Sequence, residues 1–151
     1  MKARKLFRSQ SGAAIVEFAL IAPVLIMLVI GLIEIGRYTY LGIVAAHAAE
    51  AGAVYAAQTI ATSNDNAGTK IAVNADASGV TWTVNPNPHC TEAGATVTCP
   101  TTANTTLDTS NGLVYYVTVQ VTANFTSLLH YPGIPDSVPV TASSTMRVLV
   151  Q

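Results

Sequence analysis

The chain has 151 residues, which is enough for one domain plus a membrane anchor, and half of these residues are hydrophobic. Four of its seven cations lie in the first eight residues, so the remainder carries three cations against eight acids. That acidic balance argues against a nucleic-acid partner, which would require a basic face.

The basic head is followed by an apolar segment that runs from Phe18 to Ile33 without a charge. Its eleven Leu, Ile, Val and Phe residues favour membrane insertion by roughly 3–7 kcal/mol. Residues 13–33 supply the roughly 20 residues that a membrane-spanning helix needs. Cations on the N-terminal side place that side in the cytoplasm, so we expect everything after Tyr40 to lie outside.

Glu17 is the one carboxylate near the start of this segment. A charge in an apolar helix is a functional candidate by default, although it could simply lie at the level of the lipid head groups. If the chain were cut after Gly12, the new amine on Ala13 would share a helix face with Glu17, four residues on. The cation could then neutralise the buried carboxylate.

The basic head, Gly12 and a glutamate at the fifth position after it look like a prepilin cleavage site of the type IV pilin class. A longer pattern is formed by Gly12, Val16, Glu17, Phe18, Ala19, Pro23, Gly31, Glu34, Gly36 and Arg37. With these positions the chain from Gly12 to about Gln58 resembles TadE-like proteins, the minor pilins or pseudopilins of tight-adherence (Tad/Flp) pilus systems. A short tail, Ala142–Arg147, looks like the closing strand of that family.

This resemblance implies that residues 1–12 are a leader that a prepilin peptidase removes between Gly12 and Ala13. It implies a single-pass protein of the bacterial inner membrane that helps to initiate or tip a Tad pilus. The implied partners are other pilus subunits, the inner-membrane assembly platform and membrane lipid. A conventional secretory signal is the alternative, since Ala46-His47-Ala48 could serve as its cleavage site.

Beyond the membrane, residues 34–61 contain no proline and many alanines, which predicts that the helix continues. Small residues recur on one face of it, at Gly42, Ala45, Ala49 and Gly52. Such a face lets another backbone approach closely, as in packed membrane helices. We expect it to pack on the protein's own sheet, although subunit packing in a fibre could use the same kind of face.

Residues 62–151 are expected to form a β-rich domain. Residues 62–69 are polar and predict a loop, and a strand follows in which Val80, Trp82 and Val84 share a buried face. The remaining predictions are a turn at 85–90, a short strand at 95–100, a polar connection at 101–112, a strand at 113–125, a Pro/Gly loop at 129–139 and a last strand at 138–150.

A long helix followed only by strands gives an α+β fold. The resemblance implies the same layout: a pilin-like long N-terminal helix, transmembrane in its first half, packed on a small antiparallel β-sheet. The two cysteines, Cys90 and Cys99, are expected to form a disulfide because the domain lies outside the cytoplasm. Two free thiols are the alternative.

The sequence contains no phosphate loop, HExxH or GxSxG motif, and His47, His89 and His130 have no carboxylate at ligand spacing. We therefore expect no catalytic residues, no metal, no cofactor and no enzymatic activity. Three functions remain open: a minor pilin used in assembly, a membrane-anchored or pilus-tip adhesin without a role in assembly, and a membrane-tethered enzyme. No motif supports the third.

Overall fold

The computed structural model describes residues 11–97, 99, 112–128 and 135–149. The chain divides into two compact units, Met1–Arg37 and Tyr38–Gln151. Most of the polar connection predicted at 101–112 lies outside the described residues. The same is true of the first half of the loop predicted at 129–139.

The first element is a helix of 46 residues, α1, which spans Ser11–Ala56 and contains Pro23. The predicted long helix is therefore confirmed, but it ends before residue 61. A single helical turn, α2 (Ile60–Ser63), begins anew after Thr59. The Thr59 side chain accepts a hydrogen bond from the Thr62 backbone N–H, and Thr62 Oγ1 accepts one from the Thr59 N–H. This reciprocal cap separates α2 from α1.

A third helix, α3 (Asn66–Asp76), replaces the second half of the loop that the sequence predicted at 62–69 and extends beyond it. Asp65 caps its N-terminus by accepting a hydrogen bond from the Gly68 backbone N–H at 2.9 Å. Thr69 and Val73, one helical turn apart, are fully buried. The loop prediction was wrong because these two side chains anchor an otherwise polar helix to the core.

Four strands form one antiparallel sheet in the order β2-β1-β3-β4. β1 and β2 are joined by a tight turn in which Ala93 and Gly94 both have positive φ. The burial of alternate residues confirms the two long strands predicted at 113–125 and 138–150, although the second ends at Arg147 and residue 150 lies outside the described residues. The strand bounds are Thr83–Glu92 for β1, Ala95–Val97 for β2, Val114–Thr126 for β3 and Ser137–Arg147 for β4.

The turn predicted at 85–90 is wrong, because β1 runs straight through it. Pro86 pairs with Val119 and Pro88 pairs with Val117. Proline has no N–H to donate, so both nitrogens must point away from β3. That is possible here because β2 pairs with β1 only at 90–92, which leaves the outer side of β1 without a partner strand at both prolines within the described residues.

The core lies between the sheet and the second part of α1, from Tyr38 to Ala56. Its helical side consists of small side chains, which let the helix backbone come close to the sheet. Trp82 is 2% exposed and donates its Nε1–H to the Ala77 carbonyl at 3.0 Å, so its polar atom is satisfied inside the core. The fully buried members include Ala45, Ala48, Ala49, Ala53, Ala56, Val73, Val117, Val119 and Val121.

Candidate functional site

The first part of α1 presents apolar side chains without a cover of protein. Leu20 is 73% exposed and Phe18 is 68% exposed. By length and composition α1 can cross a membrane, since its most apolar window has a mean hydropathy of 2.7. A large apolar surface that the protein itself leaves exposed indicates contact with lipid or with another protein. The helix is therefore a candidate membrane span.

Three residues that the sequence marked for processing and assembly lie in the first turns of α1. Gly12, Ala13 and Glu17 are all exposed, and among the described residues no atom beyond the chain neighbours and the helix's own backbone lies within 4 Å of a Cβ added at Gly12. Ala13 and Glu17 are four residues apart on one continuous helix, so they share a face. Cleavage at Gly12 and the role of Glu17 in register stay predictions.

Further along the same helix, Gly31 interrupts the row of large side chains and leaves a shallow apolar groove. Apart from the chain neighbours and the helix's own backbone, no atom in the described part of the chain lies within 4 Å of a Cβ added at Gly31. A glycine at the floor of an apolar groove allows a neighbouring helix to approach closely. The residues that line the groove are Val24, Met27, Leu28, Gly31, Leu32 and Ile35.

The face of small residues predicted for helix packing is largely buried inside the second unit. Ala45 and Ala49 are fully buried and Gly52 is buried, whereas Gly42 is half-buried. A Cβ on Gly52 would lie 2.8 Å from Val73 Cγ2 and 3.0 Å from Val119 Cγ1. At Gly52 this face therefore packs against α3 and β3 of its own chain.

A polar cluster that the sequence analysis missed ties the end of α1 to the start of α3. Tyr55 donates its hydroxyl hydrogen to Asp65 Oδ2 at 2.8 Å. The hydrogen bond from the Gly68 N–H, together with that from Tyr55, lowers the pKa of Asp65 below its ordinary value of 3.8. The bond to Asp65 in turn raises the pKa of Tyr55 above 10.0. The signal in the sequence was an aspartate three residues before a glycine at a helix start.

Cys90 and Cys99 form a disulfide in the structure, and their Cα atoms are 5.2 Å apart. Cys90 is fully buried in β1, and the bridge ties Cys99, two residues after the end of β2, to the core. No group of three or more His, Cys, Asp or Glu side chains within the described ranges is placed to hold a metal ion.

The residues that match a known protein family lie in α1, the helix with the exposed apolar surface. A family model described as TadE-like protein matches residues 12–54, which is less than half of the chain. Its span begins at the predicted cleavage glycine and ends near the C-terminus of α1. Over this span the chain is similar to TadE-like proteins. The family is related to pilins and is not an enzyme family. No curated protein and no solved structure matches the chain.

Proposed function

We propose that the chain is a minor pilin, or pseudopilin, that takes part in initiating or tipping a Tad pilus used in surface adherence. The observation that carries this proposal is the TadE-like match over residues 12–54. The exposed apolar helix in the same residues supports it, because a subunit held in a membrane before assembly needs such an anchor.

In this proposal a prepilin peptidase cuts between Gly12 and Ala13 and removes the basic leader. The uncut chain lies in the bacterial inner membrane with its N-terminus in the cytoplasm and the domain after Tyr40 in the periplasm. The charge bias of the head, four cations and no acid, supports that orientation. Other pilus subunits and the inner-membrane assembly platform then bind the processed chain.

Glu17 sets the register of assembly in this proposal. After cleavage, the ammonium group of Ala13 lies on the same helix face, and in a monomer the two charges neutralise each other. In an assembly Glu17 of an incoming subunit pairs instead with the Ala13 amine of a neighbour. An unpaired charge buried among apolar helices costs several kcal/mol, so a wrong axial register is strongly disfavoured. The groove at Gly31 supplies a surface on which the neighbouring helix can pack.

The test is a comparison of Glu17→Gln with Glu50→Gln in cells that make the complete pilus system. Both variants lose one carboxylate from an exposed position on α1, but Glu50 lies outside the apolar segment. We expect Glu17→Gln to insert and to be processed normally, yet to lose co-purification with other pilins and to reduce the yield of sheared pili. Glu50→Gln should behave like the wild type. Normal piliation by Glu17→Gln at normal protein level would contradict the proposed role.

A further inference from the structure

The face of the sheet that points away from α1 is polar and almost free of charge; we call it the outer face. Along the three long strands every second residue points outward, and most of these side chains are hydroxyls or amides. The outward positions are Thr83, Asn85, Asn87, His89 and Thr91 in β1, Val114, Tyr116, Thr118, Gln120, Thr122, Asn124 and Thr126 in β3, and Ser137, Pro139, Thr141, Ser143, Thr145 and Arg147 in β4.

The strand register arranges these side chains in rows across the sheet. Thr118 pairs with Thr145, and their Oγ1 atoms are 2.7 Å apart; the Oγ1 atoms of Thr122 and Thr141 are 3.2 Å apart. A hydroxyl has one donor and two acceptor sites, so each pair keeps hydrogen-bonding capacity directed outward. Successive rows are about 7 Å apart because they are separated by two residues of a strand.

One end of the outer face differs from the rest. Tyr116 has His89 as its register partner on one side and Arg147 on the other. The rings of His89 and Tyr116 are nearly parallel, with an interplanar angle of 18° and centroids 5.8 Å apart. Arg147 is exposed and forms no ion pair with any carboxylate in the described part of the chain.

This composition favours a polyol ligand over a protein partner. Protein interfaces are built around a core of apolar and aromatic side chains, and the outer face has apolar or aromatic groups only at its ends. Hydroxyl and amide side chains instead match the alternating donors and acceptors of sugar hydroxyls. Although the chain after its first eight residues is acidic overall, the outward positions include an arginine and no carboxylate, so the local charge of this face favours an anionic group. An arginine binds a carboxylate through two parallel hydrogen bonds.

We propose that the outer face binds an acidic polysaccharide, with Arg147 on a sugar carboxylate and the ring pair of Tyr116 and His89 beside the apolar face of a sugar ring. The hydroxyls and amides of the adjoining rows bind the sugar hydroxyls. This proposal does not rest on a role in assembly, because the outer face is separate from the helix that carries the TadE-like match. Failure of either proposal therefore leaves the other standing.

The test uses the full chain in nanodiscs of zwitterionic lipid, with polygalacturonate as the probe and its methyl ester as the uncharged control. We expect saturable binding of polygalacturonate and at least about fivefold weaker binding of the ester, which has lost the partner of Arg147. Arg147→Gln should weaken binding of polygalacturonate about as much, and Tyr116→Thr, which removes the ring but keeps a strand-forming residue, should weaken binding of both probes. Lys70→Gln, which removes an exposed cation of α3, should change nothing.

Several results would overturn the proposal. They are absence of binding, equal binding of the ester, and equal weakening by Lys70→Gln, which would indicate attraction by net charge alone. A protein partner would be assigned to the outer face instead if two results came together. The wild type would not bind polygalacturonate, and Arg147→Gln and Tyr116→Thr would no longer co-purify with other pilins. Unchanged fluorescence of Trp82, the single tryptophan, shows in each variant that the domain is folded.

Discussion

Replacement of Gly52 by alanine tests whether α1 packs against α3 and β3 as closely as the structure shows. Val73 Cγ2 and Val119 Cγ1 lie 2.8 Å and 3.0 Å from the position of the new Cβ. Carbon atoms in ordinary contact are about 3.5–4.0 Å apart. Valine side chains are short and stiff at χ1, so they cannot turn away easily, and the helix must move instead.

Two effects of opposite sign decide the size of the loss. Overpacking by one methyl group costs about 1–3 kcal/mol, whereas alanine in place of a helical glycine gains about 1 kcal/mol. Gly42→Ala is the matched control, because no described atom outside the helix's own backbone lies within 4 Å of its added Cβ. The helix-propensity gain cancels between the two variants. We therefore expect Gly52→Ala to be less stable than Gly42→Ala by about 1–3 kcal/mol.

The assay is thermal unfolding of the full chain in detergent micelles, followed by the fluorescence of Trp82, which is 2% exposed in the folded domain. For a domain of this size, 1 kcal/mol corresponds to roughly 3–6 °C in Tm. The Tm of Gly52→Ala should lie below that of Gly42→Ala by several degrees. If Gly52→Ala were as stable as Gly42→Ala, the close approach of α1 to Val73 and Val119 would be wrong.

Three further predictions concern covalent and polar contacts of the same unit. Alkylation of the unreduced, unfolded protein should label neither Cys90 nor Cys99, and replacing both by alanine should lower the free energy of unfolding by about 2–3 kcal/mol; labelling of both would refute the bridge. Since the pKa of Asp65 is lowered in the folded state, its carboxylate stabilises the fold above about pH 4 and loses this effect as the pH falls through the folded pKa. Asp65→Asn keeps a residue that can cap α3 but lacks the carboxylate, so the unfolding free energy of this variant should fall less steeply below pH 4 than that of the wild type. The same pH dependence in both proteins would exclude the contribution of Asp65. Gly68→Ala should destabilise the domain, because an added Cβ would collide with the Tyr55 hydroxyl and Asp65 Oδ2, and a Tm equal to that of the wild type would contradict this contact.

Long periodic segments were predictable from the sequence because many residues contribute to the same pattern. The alternation from Tyr115 to Val121 predicts a strand with one buried face, and all the odd positions there are buried. The spacing of Ala45, Ala49 and Gly52 likewise predicts the face of α1 that packs on the sheet.

Short elements were not predictable in the same way, because single tertiary contacts decide them. α3 has only Thr69 and Val73 as deeply buried anchors, and its polar composition is typical of a loop. Pro86 and Pro88 indicate a turn when only local preferences are considered. They fit β1 because, among the residues that the structure describes, no strand pairs with the adjoining edge at either position, which is a property of the whole sheet.

The cluster of Tyr55 and Asp65 and the row formed by His89, Tyr116 and Arg147 also depend on tertiary structure. Their members are ten or more residues apart in the chain and meet only after α1, α3 and the sheet have formed. The TadE-like segment, in contrast, is recognisable from the sequence because its signature lies within one uninterrupted helix.

The N-terminus of the protein isolated from cells tests the proposed function most directly. Mass spectrometry should find a chain that begins at Ala13 in cells with the complete pilus system and at Met1 in cells without the prepilin peptidase. Gly12→Leu should leave insertion intact but block the cut, because a bulky residue replaces the glycine of the cleavage site. A protein that begins at Met1, or at Ala49 after a conventional signal cleavage, in cells with the complete system would contradict the account.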